Sequence, residues 1–232
     1  MRVLSLMHQK DAPTGTFADG VHARGAELTE WNISSGPPPE PPESYDAVFL
    51  FGGAMHVDQE GKHPWLRDED DIVKRLLANE VPLFGVCLGS QLIAKAAGAH
   101  VGPAPREEVG WHEVELTREA AEDPVLGVAP HKFTAFQWHS YAFDLPPGAT
   151  ALARNDVGLQ AYRLGDFAWG IQFHAEVTQE IVDGWARSDG RRPFDPAPME
   201  SWGLLGRALA ERFLEVAARS PRRARREATR AS

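Results

Sequence analysis

The sequence predicts one α/β domain around a mostly parallel sheet, and three observations carry the prediction. Short β-rich runs alternate with stretches of helical periodicity, as they do in strand–helix–strand units. Two of those runs, "YDAVFLF" (45–51) and "VPLFGV" (81–86), are almost wholly apolar, as strands covered on both faces must be. The 232 residues suffice for one large domain with a buried core and do not require two.

Taken in order, "RVLSLM" (2–7) reads as the first strand. A helical segment around residues 15–25 follows, then a second strand, "AELTEWNI" (26–33). "SSGPPPEPPES" (34–44) is excluded from helix and central strand because proline removes donors and fixes φ. It reads as a stiff polyproline-type connector, too short to link domains. After the apolar run at 45–51, "HPWLRDEDDIVKRLLANE" (63–80) has the marks of a helix. Pro64 stands near its start, acidic residues Asp68 to Asp71 come early, and Ile72, Val73, Leu76 and Leu77 share a face. The buried run 81–86 is the next strand, and Ser90 to Ala97 form a helix that Gly98 can close.

The pattern then turns strand-rich, with "WHEVEL" (111–116), "KFTAFQW" (132–138), "TALARN" (150–155), "GLQAYRL" (158–164) and "FAWGIQF" (167–173). Helix returns at "VTQEIVDGWARS" (177–188), and a proline-rich insert, 191–198, precedes a long final helix, 199–219. That helix places Trp202, Leu205, Leu209, Phe213 and Val216 on one face for docking. The domain is expected to span 1–218, with 219–232 a basic, frayed tail.

Composition, at 43% hydrophobic and 25% charged residues, is that of a soluble globular protein. No apolar run approaches the roughly 18 residues of a membrane span, and the N-terminus is too short in apolar residues for a secretory signal. A single cysteine excludes an internal disulfide framework, so a cytoplasmic setting is expected. The net charge is −9, to which the last fourteen residues contribute +5, leaving −14 on the rest. So acidic a body disfavours nucleic acid as a partner. The Arg-rich end could touch RNA or an acidic partner, but a short basic terminus without aromatics is more often simply solvated.

The lone cysteine, Cys87, lies in "FGVCLGS" (84–90), flanked by Gly85 and Gly89. This G-x-C-x-G pattern lets strand and helix approach closely around a strained central residue. The helix N-terminus behind it favours thiolate over thiol, and the N–H of Leu88 would face an anion formed beside the sulfur. Free cysteine is also a common buried filler, so the pattern alone leaves inert packing open. In "GIQFHAEVT" (170–178), His174 and Glu176 would share a face if the strand continued, and the carboxylate could hold the imidazole tautomer. In "FLFGGAMHVD" (49–58), Gly52 and Gly53 could turn N–H groups toward a ligand or form an ordinary turn. All three segments leave strand C-terminal ends, where open α/β sheets bind ligands. Together they supply what acyl transfer through a thioester requires.

G-V-C-L-G-S-Q at 85–91 with Q-F-H-A-E-V at 172–177 resembles the class I, triad-type glutamine amidotransferases. "EVGWHEVEL" (108–116) and "FQWHSYAFDLPPGA" (136–149) narrow the resemblance to stand-alone proteins similar to the amidotransferase domain of GMP synthase. It runs from about Val3 to Val177. It implies a flavodoxin-like three-layer sandwich and no cofactor or metal. It implies Cys87 as nucleophile, His174 as base and then acid, and Glu176 as its orienter. The N–H groups of Gly53 and Leu88 would form the oxyanion hole, and Gly52, Gln91 and the backbone of Ser140 and Tyr141 would bind substrate. Ala175 replaces the family's usual proline as a mere spacer, whereas Tyr141 replaces a frequent aspartate, so the substrate's α-amino group would be held differently.

Only helical segments, the proline-rich insert and the basic tail follow the matched region, with no synthetase domain expected among them. The small-molecule substrate is therefore either glutamine, with ammonia passing to a separate synthetase, or another γ-glutamyl amine or peptide hydrolysed independently. A noncatalytic binding or regulatory protein of the same fold is a third reading, disfavoured by the intact Cys87, His174 and Glu176. A cysteine α/β-hydrolase is disfavoured because its acid precedes its histidine. His8, His22, His56, His63, His100, His112, His131 and His139 offer no zinc-like spacing with cysteine support. His139 lies near the substrate or is structural, and Trp111 and Trp138 are expected in core or pocket wall.

Overall fold

A computed structural model describes residues 1–222, so most of the expected tail, 223–232, lies outside the described residues. The chain runs β1 (Arg2–Met7), α1 (Thr16–Ala23), β2 (Glu27–Asn32), β3 (Ala47–Leu50), α2 (Trp65–Ala78), β4 (Leu83–Val86) and α3 (Leu88–Ala96). It continues with β5 (Val101–Leu116), β6 (Lys132–Phe143), β7 (Ala149–Arg154), β8 (Leu159–Leu164), β9 (Ala168–Ile171), α4 (Gln179–Ser188) and α5 (Met199–Ala218). The nine strands form one sheet in the order β2-β1-β3-β4-β9-β8-β7-β5-β6.

The expectation of a mostly parallel sheet is corrected: the sheet is mixed. β2, β1, β3, β4 and β9 pair in parallel, whereas β9–β8, β8–β7, β7–β5 and β5–β6 are antiparallel. Parallel neighbours need a crossover of a dozen or more residues, usually a helix. α-Helices follow β1, β3 and β4, but between β5 and β9 the connections hold only short 3-10 turns, at Glu119–Glu122 and Leu126–Val128, so those strands turn back on one another. The parallel half retains the strand order of a doubly wound sheet.

Alternation along the parallel strands fills two cores. Val3, Phe49 and Phe84 face α1 and α5 with Phe17 and Phe213. Leu4, Val48 and Leu83 face the opposite side, with Ile72 and Leu76 of α2 and Ile93 of α3. The sheet is thus covered on both faces, which accounts for its near-continuous apolar runs. On α5, Trp202, Leu209 and Phe213 are buried, while Leu205 and Val216 only flank the core.

Three further expectations change. The proline-rich 34–44 connector is not uniformly extended, since single 3-10 turns form at Ile33–Ser35 and Pro42–Ser44. β5 begins ten residues before the predicted "WHEVEL" strand and pairs with β6 through a bulge between Pro103 and Glu108. β9 stops at Ile171, so His174 and Glu176 lie in the bend beyond it and not on a strand. Among the described residues no helix is long and apolar enough to cross a membrane.

Candidate active site

Cys87 sits between β4 and α3 at φ 50°, one of two non-glycine residues with positive φ among the described residues. That left-handed conformation is costly for a side chain and marks a strained turn. Its neighbours explain why the turn is possible. A Cβ on Gly85 would lie 2.6 Å from Ser90 N, and one on Gly89 would lie 2.1 Å from the Leu50 carbonyl oxygen. Only glycine lets the helix start this close to the sheet. The Cys87 N–H donates to Ile171 O at 2.8 Å, and the Cys87 carbonyl accepts from Ser90 Oγ at 2.7 Å and Gln91 N at 3.0 Å. These bonds fix the thiol against β9, with Sγ 3.8 Å from Trp138 O.

His174 and Glu176 reach the same place by tertiary bonds. The His174 N–H donates to Phe136 O at 2.8 Å, and Trp202 Nε1 donates to His174 O at 2.9 Å. Thr16 Oγ1 donates to Ala175 O at 3.2 Å, and Thr16 N to Glu176 O at 2.8 Å. Every carbonyl of the segment is therefore held, by α1 or by α5. The carboxylate Oε1 of Glu176 stands 2.8 Å from His174 Nδ1, and both side chains are buried. Burial alone would lower the His174 pKa, but the Glu176 carboxylate and the Cys87 sulfur outweigh it, and the imidazole is pushed up to about 10. The ring is thus favoured as an imidazolium, a proton donor aimed at its surroundings.

Gly52 and Gly53 close the third side. A Cβ on Gly52 would lie 2.9 Å from His174 Cε1 and 3.5 Å from Cys87 Cβ, so glycine, imidazole and thiol meet. A Cβ on Gly53 would lie 3.2 Å from Leu88 Cδ2. Leu88 opens α3, where N–H groups lack helical acceptors. The N–H groups of Gly53 and Leu88 find no acceptor among the described residues.

A cleft of about 230 Å³ opens onto Cys87, His174, Gly52 and Gly53. Its walls include Trp138 and Trp185, whose rings meet edge to face at 5.8 Å, and its rim includes Asp11 and Asp189. Trp185 also packs on His174, at 5.0 Å between ring centroids. Neither Trp185 nor the aspartates carried a sequence signal. The segment after β1 and helix α4 are distant in the chain and are joined by the Trp185 indole N–H, which donates to Asp11 O.

Gln91, Ser140 and Tyr141 lie outside that cleft, on the α3–β6 side of Cys87. Gln91 Nε2 donates to Tyr141 O at 3.2 Å and Gln172 Oε1 at 3.1 Å. The Tyr141 ring stacks on His56 at 3.9 Å, and its hydroxyl donates to Asp58 Oδ2 at 3.1 Å. His139 is buried and structural in its bonds. Nδ1 donates to Tyr141 O at 2.9 Å, and Nε2 lies 3.2 Å from Glu108 Oε2, close enough for an ion pair but off the line of a hydrogen bond.

Comparison with known proteins adds to this geometry. A glutamine amidotransferase-like protein of Salmonella typhimurium is 29% identical over 190 residues, 79% of either chain. One chain of the glutamine-hydrolysing GMP synthase of Ignicoccus hospitalis is 31% identical over 158 residues, 66% of this chain and 76% of that one. A γ-glutamyl-L-1-hydroxyisopropylamide hydrolase of a Pseudomonas species is 29% identical over 157 residues, 64% of this chain and 52% of that one. The crystal structure of a Thermotoga maritima glutamine amidotransferase superposes with a TM-score of 0.84 at 30% identity, covering 93% of this chain and 98% of that one. The family model for class-I glutamine amidotransferase matches residues 14–183, a span that holds the elbow, the two glycines and the His174–Glu176 bend. The chain belongs to the class-I glutamine amidotransferase family.

Proposed function

We propose that this chain hydrolyses the side-chain amide of glutamine through a cysteinyl thioester, giving glutamate and ammonia. The observation that carries the proposal is the buried junction of Cys87, His174 and Glu176, with Nδ1–Oε1 at 2.8 Å and the imidazole held as a proton donor beside the thiol. Cys87, as the thiolate whose proton His174 holds, attacks the amide carbon through Sγ, and the carbonyl electron pair moves onto oxygen, facing the N–H groups of Gly53 and Leu88. Collapse of this intermediate breaks the C–N bond as His174 gives its proton to the departing nitrogen. The neutral imidazole then takes a proton from water as it attacks the thioester, and glutamate leaves with the thiolate restored. Glu176 holds the His174 tautomer throughout.

The glutamyl end is assigned to Gly52, Gln91 and the backbone of Ser140 and Tyr141. Support comes from Gly52, which lines the cleft on Cys87, from the Gln91 N–H, which donates to the Cys87 carbonyl, and from Gln91 Nε2, which donates to the Tyr141 carbonyl. Ammonia would pass to a separate synthetase, as the likeness to one chain of a GMP synthase suggests. A second reading, hydrolysis of another γ-glutamyl amine, is favoured by the Pseudomonas relative and by the indole walls, against which an alkyl amine would pack.

Assays of L-glutamine and γ-glutamyl alkylamides test both readings. Cys87→Ala is expected to lower kcat/KM by at least about 10³-fold with the fold retained. Unchanged turnover in that variant contradicts the mechanism. A higher kcat/KM for an alkylamide than for glutamine selects the second reading.

A further inference from the structure

His8 and Glu69 form a buried pair that the mechanism above does not use. His8 follows β1 and is 2% exposed, and Glu69, on α2, is 0% exposed. His8 Nε2 lies 2.8 Å and 3.0 Å from the two Glu69 oxygens, and Nδ1 lies 3.1 Å from the Gly52 carbonyl oxygen. The ring is stacked on Trp65, at 5.5 Å between centroids.

Both ring nitrogens face acceptors. A carbonyl oxygen accepts only, and so does a carboxylate, so each nitrogen must carry a proton and His8 is an imidazolium. Burial acts against that charge but is outweighed by Glu69, which raises the His8 pKa above its ordinary value.

The Gly52 carbonyl belongs to the same peptide unit as the Gly53 N–H. No cis bond occurs among the described residues, and in a trans peptide the two groups point in opposite directions. Holding the carbonyl on His8, which lies outside the cleft, directs the Gly53 N–H to the other side, where Gly52 and Gly53 border the cleft beside Cys87. Glycine on both sides of this peptide leaves little steric resistance to its rotation, so an external tether is needed to fix it.

We propose that His8, held by Glu69, is a positioning residue that locks the Gly52–Gly53 peptide with its N–H toward the oxyanion formed at Cys87. The inference rests on the amidohydrolase reading above.

The two hydrogen bonds can be separated. In His8→Asn the side-chain amide nitrogen takes the place of Nδ1 and keeps the bond to Gly52. In His8→Gln it takes the place of Nε2 and keeps only the bond to Glu69. Two rates are read for each variant: kcat on L-glutamine and γ-L-glutamyl-p-nitroanilide, and alkylation of Cys87 by iodoacetamide. Alkylation needs the thiolate but forms no oxyanion, so general damage to the site slows both rates while loss of the lock slows only hydrolysis.

His8→Gln is expected to lose about 10²-fold in kcat, approaching the loss of one oxyanion donor, with KM and alkylation held within about twofold. His8→Asn should recover most of that kcat. Should His8→Gln fail to fold, His8→Leu carries the test. Its side chain matches asparagine in shape but donates nothing to Gly52, so kcat falls relative to His8→Asn with alkylation unchanged, and equal kcat in the two overturns the proposal. Retained kcat in His8→Gln, parallel loss of kcat and alkylation, or equal loss in the Asn and Gln variants overturns the proposal while the amidohydrolase reading stands. A wild-type chain that turns over neither amide removes that reading, and the lock with it.

Discussion

At the scale of residues, the arrangement around Cys87 turns on where protons sit. His174 gains a proton affinity well above that of free imidazole because Glu176 and the Cys87 sulfur outweigh the cost of burial. A raised histidine pKa stabilises the fold most below the unfolded value of 6.5, and that contribution is lost as pH rises through about 10. The proposed proton delivery to the leaving nitrogen has the same upper bound, so the alkaline limb of the kcat/KM profile, which reports the free protein, is expected near pH 10. Glu176→Gln should move this limb down toward the ordinary imidazole range and lower kcat at pH 8 by roughly 10²-fold. A wild-type limb near neutrality, or one unmoved by the substitution, contradicts the assignment. The Cys87 elbow was readable because its two glycines are local and their spacing is a steric requirement. His8 and Glu69 were not, since nothing in residues so far apart in the chain announces that they meet beneath Gly52.

At the scale of elements, the His174–Glu176 segment is held from outside by α1 and α5. Periodicity predicted both helices and most of the α5 face. It did not predict that Thr16 and Trp202 would bond the carbonyls of residues 174–176, because those bonds join side chains and backbone across the whole domain. The local expectation that a continuing strand would align His174 with Glu176 had the right contact and the wrong cause. Thr16→Val keeps the shape of the side chain but leaves the buried Ala175 carbonyl without its hydroxyl donor. It should cost about 1–3 kcal/mol in urea unfolding. It should also lower kcat more than it raises KM, because the displaced group is the proposed proton donor. A variant unchanged in both stability and kcat shows that this bond does not position His174.

At the scale of the molecule, one sheet carries two kinds of connection. Its parallel half delivers the glycine loop, the elbow and the histidine bend to one edge, and its antiparallel half supplies β6 and Trp138 beside them. The strands of the second half were legible as strands, but their direction follows from the lack of intervening α-helices, a constraint on connections and not on any residue. The whole assembly serves one claim, that Cys87 is the nucleophile toward a γ-glutamyl amide. Intact-mass and peptide mass spectrometry after exposure to a diazoketone analogue of glutamine tests it at the sulfur itself. A single adduct is expected on Cys87, formed in the wild-type chain and slowed in His174→Ala. An unmodified Cys87, or an adduct on another residue, would contradict the claim.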